Sequence, residues 1–113
     1  MSFGPRDYLQ HILSEADYLA RQSEGLGREA FLADETLRRA FVRSIEVIGE
    51  AAKNLPEDFR REHVTVDWRA MAGMRDRLIH GYFGVDYAIV WDVVVNKVPP
   101  LRTEIQRILE EAE

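Results

Sequence analysis

The sequence predicts an all-α fold, a compact bundle of four to five helices. Apolar residues recur at three- and four-residue steps through most of the 113-residue chain, which is the spacing of one helix face. Acidic residues that can cap a helix precede several of these stretches. Only one stretch is rich in β-branched residues, and a single strand would have no partner. The length fits one domain, residues 1–113, with a buried core.

The first predicted helix begins near Pro5, which suits the first turn of a helix, and ends before Gly25 and Gly27. Its apolar positions are Tyr8, Leu9, Ile12, Leu13, Ala16, Leu19 and Ala20. A short helical turn is predicted over residues 28–33.

The second predicted helix is the longest. Asp34 can cap it, and Pro56 stops it because proline cannot continue a helix. Its apolar positions are Leu37, Ala40, Phe41, Ile45, Ile48, Ala52 and Leu55. Its polar face carries Arg39, Arg43, Glu46 and Glu50 in one stripe, because these residues are three or four positions apart.

A loop is predicted over residues 56–66, where charged residues of both signs follow Pro56 without periodicity. Asp67 can cap the third helix. Gly81 and Gly84 lie around its end, where glycine takes left-handed dihedrals at little cost. One side of this helix carries Trp68, Met71, Arg75, Leu78 and Tyr82.

The β-branched stretch covers residues 89–95. It is predicted to be helical, because Asp86 can cap it and an isolated strand would be unstable. Pro99 and Pro100 are expected to break or kink this helix. The final helix is predicted from Leu101, Ile105, Ile108 and Leu109.

Charge and composition exclude several function classes. The net charge is −5, whereas a protein that binds nucleic acid mainly through the phosphates needs positive charge. Residues 60–80, however, carry five arginines against three acidic residues. A polyanion site is predicted there; the alternative is that the arginines are solvated partners of neighbouring acids.

The chain has no cysteine, which excludes disulfides, thiolate zinc sites and a cysteine nucleophile. No long apolar run is present, so we expect a soluble cytoplasmic protein without membrane contact.

Other familiar sites have weak support. Gly25 and Gly27 follow a helix and lack the remaining residues of a phosphate-binding loop. Glu46 and Glu50 share a helix face, but no histidine lies near them in sequence, so we expect a salt-bridged stripe rather than a metal site. We predict no cofactor. His11 is interpreted as an ordinary surface histidine. His63 lies beside Arg60 and Arg61; we expect no specific role for it, the alternative being that it assists phosphate contact.

His80 differs from the other histidines because Arg75, Asp76, Arg77 and Tyr82 lie close to it in sequence. A neutral imidazole can take the proton from a ribose 2′-hydroxyl or return one to the leaving 5′-oxygen. A guanidinium can hold the scissile phosphate and stabilise charge in the transition state. These residue types favour RNA cleavage without a metal. The alternative is a helix end that carries surface charges.

The spacing of Arg75, His80 and Tyr82 reproduces the Arg-x4-6-His-x-Tyr signature, and the chain resembles the HEPN-domain ribonucleases, the HepT-like branch in particular. Further matches in the same order are Ile48-Gly49-Glu50-Ala51-Ala52, Trp68, Met74-Arg75-Asp76, His80-Gly81-Tyr82, Val85-Asp86, Trp91 and the proline before the last helix. The likeness covers nearly the whole chain.

The resemblance implies the toxin of a type II or type VII-like toxin–antitoxin pair, a homodimer that cleaves RNA without a metal. Arg75 and His80 would carry the catalytic roles. The implied partner is a minimal nucleotidyltransferase antitoxin that attaches AMP to Tyr82, where the added phosphates would block the anion site. Tyr82 could also be an aromatic residue at the edge of the core. An alternative for the whole chain is a non-catalytic helical binding subunit of a nucleotidyltransferase, and a third is a helical scaffold.

Helix geometry adds a constraint on the site. Five residues of straight helix separate Arg75 and His80 by about 140° and ~7.5 Å of rise, so they cannot both face one phosphate from unbroken helix. Either the helix is distorted or finished by His80, or two copies build the site across a two-fold axis. We predict a homodimer in which residues 75–82 of each chain lie close together. Asp76 lies one turn before His80 and is expected to orient its ring, the alternative being a surface salt bridge.

Overall fold

The computed structural model describes residues 3–80 and 84–111, and every regular element in them is helical. The elements are α1 (Pro5–Ser23), α2 (Arg28–Ala33), α3 (Glu35–Asn54), α4 (Glu57–Glu62), α5 (Trp68–His80), α6 (Tyr87–Asp92), a π-helical turn (Val93–Lys97) and α7 (Val98–Glu111). The predicted all-α class is confirmed. Tyr82, which the sequence offers as an aromatic residue at the edge of the core, lies outside the described residues.

The predicted helix starts are confirmed by their hydrogen bonds. Pro5 is the first residue of α1. The Asp34 carboxylate accepts a hydrogen bond from the Leu37 amide at 3.0 Å, and Asp86 caps α6 through the Ala88 amide at the same distance. Asp67 accepts one from the Ala70 amide, also at 3.0 Å. Each carboxylate satisfies an amide of the first helical turn that has no partner within the helix.

The prediction of a loop over residues 56–66 is wrong in part, because α4 occupies Glu57–Glu62. Acidic residues lie in its first turn and arginines in its last, which is the charge order that the helix dipole favours. Arg61 and Glu57 also form an ion pair at 2.8 Å. Helices were predicted from apolar residues at three- and four-residue steps. Charge interactions stabilise α4 instead, so its sequence lacks that spacing and the helix was not predicted.

The β-branched stretch is helical, as predicted. Val90, Val94 and Val98 are four residues apart and all buried, so they form one apolar face. The prolines do not break this helix: Asp92, Val93 and Val98 all keep helical dihedrals, and the chain widens into the π-helical turn just before Pro99. A proline lacks the amide hydrogen and crowds the preceding carbonyls, and a wider turn accommodates both effects.

The core surrounds α3, which packs between α1 and α5, while α7 packs on α1. Phe31 of α2 is fully buried and stacks on Phe41 and Trp91, with ring centroids 5.0 and 5.3 Å apart. The buried polar residue Ser44 donates a hydrogen bond to Glu15 across α1 and α3. In the ranges that the structure describes, no helix has the length and apolar character needed to cross a bilayer.

Candidate active site

Helices α3 and α5 approach closely at Gly49. A Cβ atom at this position would lie 2.2 Å from the Cβ of Arg75 and 2.7 Å from the carbonyl oxygen of Met71. Both distances are far below ordinary van der Waals contact, so only glycine fits here. Gly49 therefore allows α5 to lie directly against α3 at the residue that the sequence predicts to be catalytic.

Two carboxylates hold the Arg75 side chain. Its Nη2 atom lies 2.9 Å from Glu50 Oε2, and its Nη1 atom lies 2.9 Å from Asp76 Oδ1. The side chain is 22% exposed. Its Nε atom is buried and has no hydrogen-bond partner among the described residues. A guanidinium has five N–H donors, so the two carboxylates fix its orientation and leave donors for a further anion.

Asp76 links Arg75 to α3, because its Oδ1 atom also lies 3.6 Å from the Lys53 Nζ atom. The hydrogen bond from Arg75, with the nearby Lys53 charge, lowers the pKa of Asp76 below its usual value of 3.8. Asp76 is therefore a carboxylate at neutral pH. These ion pairs are the surface salt bridge that the sequence left as an alternative, and an orienting role toward His80 stays a prediction.

The five steps from Arg75 to His80 all belong to the continuous helix α5. The backbone positions are therefore separated by about 140° around the helix axis and ~7.5 Å along it. Tyr82 lies outside the described residues. A helix finished at His80 and a site built by two copies are the alternatives that stay predictions.

A cleft of about 260 Å³ opens beside Arg75, between α1, α3 and α5. The polar and aromatic residues that line it include Tyr8, His11, Arg43, Glu46, Glu50 and Arg75. Three members of the predicted polar stripe on α3 thus share one cleft. The fourth, Arg39, forms an ion pair with Glu35 at 2.7 Å instead.

Sequence reasoning missed two features of this site. Glu50 was expected in a surface stripe, and its specific partner Arg75 is visible only after α3 and α5 pack together. His11 was interpreted as ordinary surface; it is exposed, but it borders the cleft with Tyr8. Among the side chains that the structure describes, which do not include that of His80, no three His, Asp or Glu residues lie close enough together to hold a metal ion.

The all-α fold and the anchored arginine of α5 define a small helical domain that carries the Arg-x4-His-x-Tyr signature. A family model described as "Ribonuclease HepT-like" matches residues 9–108. The chain therefore belongs to the HepT-like ribonuclease family, which confirms the resemblance seen in the sequence.

Relatives of similar length support this assignment. The chain is 50% identical over 106 residues to "Putative RNase TTE0752" of Caldanaerobacter subterraneus, covering 94% of this chain and 95% of the relative. It is 44% identical over 108 residues to "Putative RNase MJ0127" of Methanocaldococcus jannaschii, covering 96% and 89%. It is 40% identical over 103 residues to "Probable ribonuclease HepT" of Thermococcus cleftensis, covering 91% and 94%. No solved structure matches the chain.

Proposed function

We propose that this protein is a metal-independent endoribonuclease in which Arg75 and His80 act on the scissile phosphodiester. The observation that carries the proposal is the anchored Arg75, which lies at a cleft and belongs to the same helix as His80. The ribonuclease names of three relatives support the substrate class.

The proposed reaction uses the RNA's own 2′-hydroxyl as the nucleophile. The 2′-oxygen attacks the phosphorus, the bond to the 5′-oxygen breaks, and the products are a 2′,3′-cyclic phosphate and a 5′-hydroxyl. His80 removes the proton from the nucleophile or returns one to the leaving oxygen. Arg75 stabilises the negative charge on the phosphoryl oxygens with the N–H donors that Glu50 and Asp76 leave available.

A homodimer supplies what one chain lacks. Cleavage needs an acid and a base, whereas one chain offers one histidine in the signature. Two copies that meet along residues 75–82 would provide two imidazoles and two guanidiniums in one cleft. The exposed apolar side chain of Ile79, which borders the cleft, supports a contact on this part of α5. Sedimentation that shows only monomer at micromolar concentration would contradict the dimer.

We further propose that the protein is the toxin of a toxin–antitoxin pair whose antitoxin, a minimal nucleotidyltransferase, transfers AMP from ATP to the Tyr82 hydroxyl and releases pyrophosphate. The phosphodiester that joins AMP to the tyrosine would add one negative charge, which would compete with the RNA phosphate for the anion site. Co-expression with a neighbouring nucleotidyltransferase gene should add the mass of one AMP group to Tyr82. Unmodified Tyr82 after co-expression would contradict this step.

A non-catalytic binding subunit is the second candidate. It is favoured by the net charge of −5 and by the two carboxylates that already engage Arg75. Growth of cells that express this chain alone separates the candidates, because a ribonuclease toxin arrests growth and a binding subunit does not.

The experiment that tests the ribonuclease is a cleavage assay in excess EDTA. The wild-type protein should cut RNA, leave cyclic phosphate ends and spare a DNA strand of the same sequence. A single 2′-deoxy substitution at the mapped position should prevent cleavage there, because it removes the nucleophile. Cleavage at the deoxy position, or no cleavage of RNA, contradicts the proposal.

A further inference from the structure

Three aromatic rings cluster at the start of α1, on the edge of the cleft that contains Arg75. The Tyr8 and His11 rings meet edge to face, with centroids 6.4 Å apart. Phe3 packs edge-on against both, at 6.1 Å from Tyr8 and 6.0 Å from His11. The Phe3 side chain is nevertheless 56% exposed. Phe3 and His11 are exposed, whereas Tyr8 is partly buried and packs against the core, so the cluster offers part of its aromatic area to a ligand.

The α3 side of the cleft carries two charged residues that form no ion pair within the part of the chain that the structure describes. Arg43 and Glu46 of α3 line the cleft, and neither forms an ion pair with any described residue. Their neighbours on the same helix differ, because Arg39 pairs with Glu35 and Glu50 pairs with Arg75. One cation and one acid on this wall are therefore available to a molecule in the cleft.

We propose that this cleft binds one unpaired nucleobase of the RNA strand next to the scissile bond. The base stacks on the Tyr8 and His11 rings, and Arg43 pairs with a phosphate neighbouring the one at Arg75. Glu46 accepts hydrogen bonds only, so it faces N–H donors on the base edge rather than the phosphate backbone. This inference rests on the proposed function and extends it to single-stranded RNA as the substrate class.

The size and chemistry of the cleft fit this ligand better than folded RNA. Its volume of about 260 Å³ is just below the roughly 300–1,000 Å³ of sites that enclose drug-sized ligands, which suits a single base. Bases in a duplex are stacked on one another, whereas unpaired bases can turn outward and stack on aromatic side chains. Aromatic rings beside an arginine are the usual combination in single-strand binding.

Binding of two labelled hexanucleotides tests the proposal. Both carry 2′-O-methyl sugars, which cannot be cleaved by 2′-hydroxyl attack; one has bases and the other is abasic. The wild-type protein should bind the base-containing strand about tenfold more tightly, since stacking on an aromatic side chain contributes on that order. Tyr8→Ala should remove this preference, and Tyr8→Phe should keep it because the ring remains.

Arg43→Gln should weaken binding of both strands similarly. The slope of log K against log salt concentration should fall in magnitude by about one, as expected for the loss of one phosphate contact. The matched control is Arg39→Gln, which removes the same charge from the same helix outside the cleft and should leave binding of both strands unchanged. Equal binding of the two strands by wild type, or wild-type behaviour of Tyr8→Ala and Arg43→Gln, overturns the inference.

The binding assay does not depend on cleavage, so the two proposals fail separately. If the wild-type protein fails to cut RNA but shows the base preference at Tyr8, the ribonuclease proposal falls and the base site stands. If it cuts RNA in EDTA but shows no base preference, the base site falls and the ribonuclease stands.

Discussion

The Glu50 carboxylate lies 2.9 Å from the Arg75 guanidinium and joins α3 to α5 at the candidate active site. Twenty-five positions separate the two residues in sequence, so tertiary packing creates the pair. Because Glu50 pairs with Arg75, we assign it the role of positioning the guanidinium in the proposed reaction.

We expect Glu50→Gln to lower the cleavage rate about tenfold, mainly in kcat, because a neutral amide holds the guanidinium less strongly than a carboxylate does. The free energy of unfolding should change by less than about 1 kcal/mol, since the pair is partly exposed. Glu35→Gln, which breaks the Arg39 pair on the same helix, is the control and should leave kcat unchanged. A normal kcat in Glu50→Gln would contradict the positioning role.

Gly49→Ala should destabilise the protein by about 1–3 kcal/mol, the usual cost of overpacking. The added Cβ would meet the Arg75 Cβ at 2.2 Å, so the helices must separate or shift. Denaturant unfolding measures the change. The matched control is Gly73→Ala in α5, where nothing lies within 4 Å of an added Cβ; it should be neutral or stabilising by up to about 1 kcal/mol. A Gly49→Ala protein as stable as wild type would show that the crossing is looser than described.

The Asp76 pairs should make stability depend on pH. The hydrogen bond from Arg75 and the charge of Lys53 lower the pKa of Asp76 in the folded protein below its usual value of 3.8. A lowered folded-state pKa stabilises the protein above the unfolded value, and this stabilisation disappears as the pH falls through the folded value. Wild type should therefore have a higher Tm than Asp76→Asn at pH 7, and the difference should shrink as the pH falls below 3.8. If the Tm difference between wild type and Asp76→Asn does not change with pH, the ion pairs of Asp76 are not its cause.

Phe31→Ala should cost about 3–5 kcal/mol in stability, as large aromatic deletions in cores do. Phe31 is fully buried and stacks on two other rings, so its removal leaves a cavity. Phe3→Ala removes the same side chain from a position that is 56% exposed and should cost less than about 1 kcal/mol. Equal losses in the two variants would contradict the described core.

Local signals in the sequence were sufficient for the all-α class and for most of the helices. Apolar spacing located the long helices, and Asp34, Asp67 and Asp86 marked their starts correctly because capping acts within a few residues. The short helix α4 escaped prediction, since charge order stabilises it and no apolar face marks it. The π-helical turn was not predicted either. The two prolines predicted a break or a kink, whereas the helix accommodates Pro99 and Pro100 by widening one turn before them.

The site was predictable only where its parts are close in sequence. The signature located Arg75 and its neighbour Asp76 on one helix. Packing between elements determines three features: the pairing of Arg75 with Glu50 of α3, the need for glycine at position 49, and the place of His11 beside the cleft. Residue spacing along a single helix carries no information about such contacts.

The central claim is that Arg75 and His80 act on one phosphodiester, and single-turnover cleavage of RNA in excess EDTA by Arg75→Ala and His80→Ala tests it most directly. Each variant should cleave about 10²–10⁴ times more slowly than wild type while remaining folded, the range expected for loss of a catalytic acid–base or charge-stabilising group. Arg39→Ala, which loses only a surface ion pair, should cleave normally. Wild-type cleavage rates in either folded catalytic variant would contradict the account.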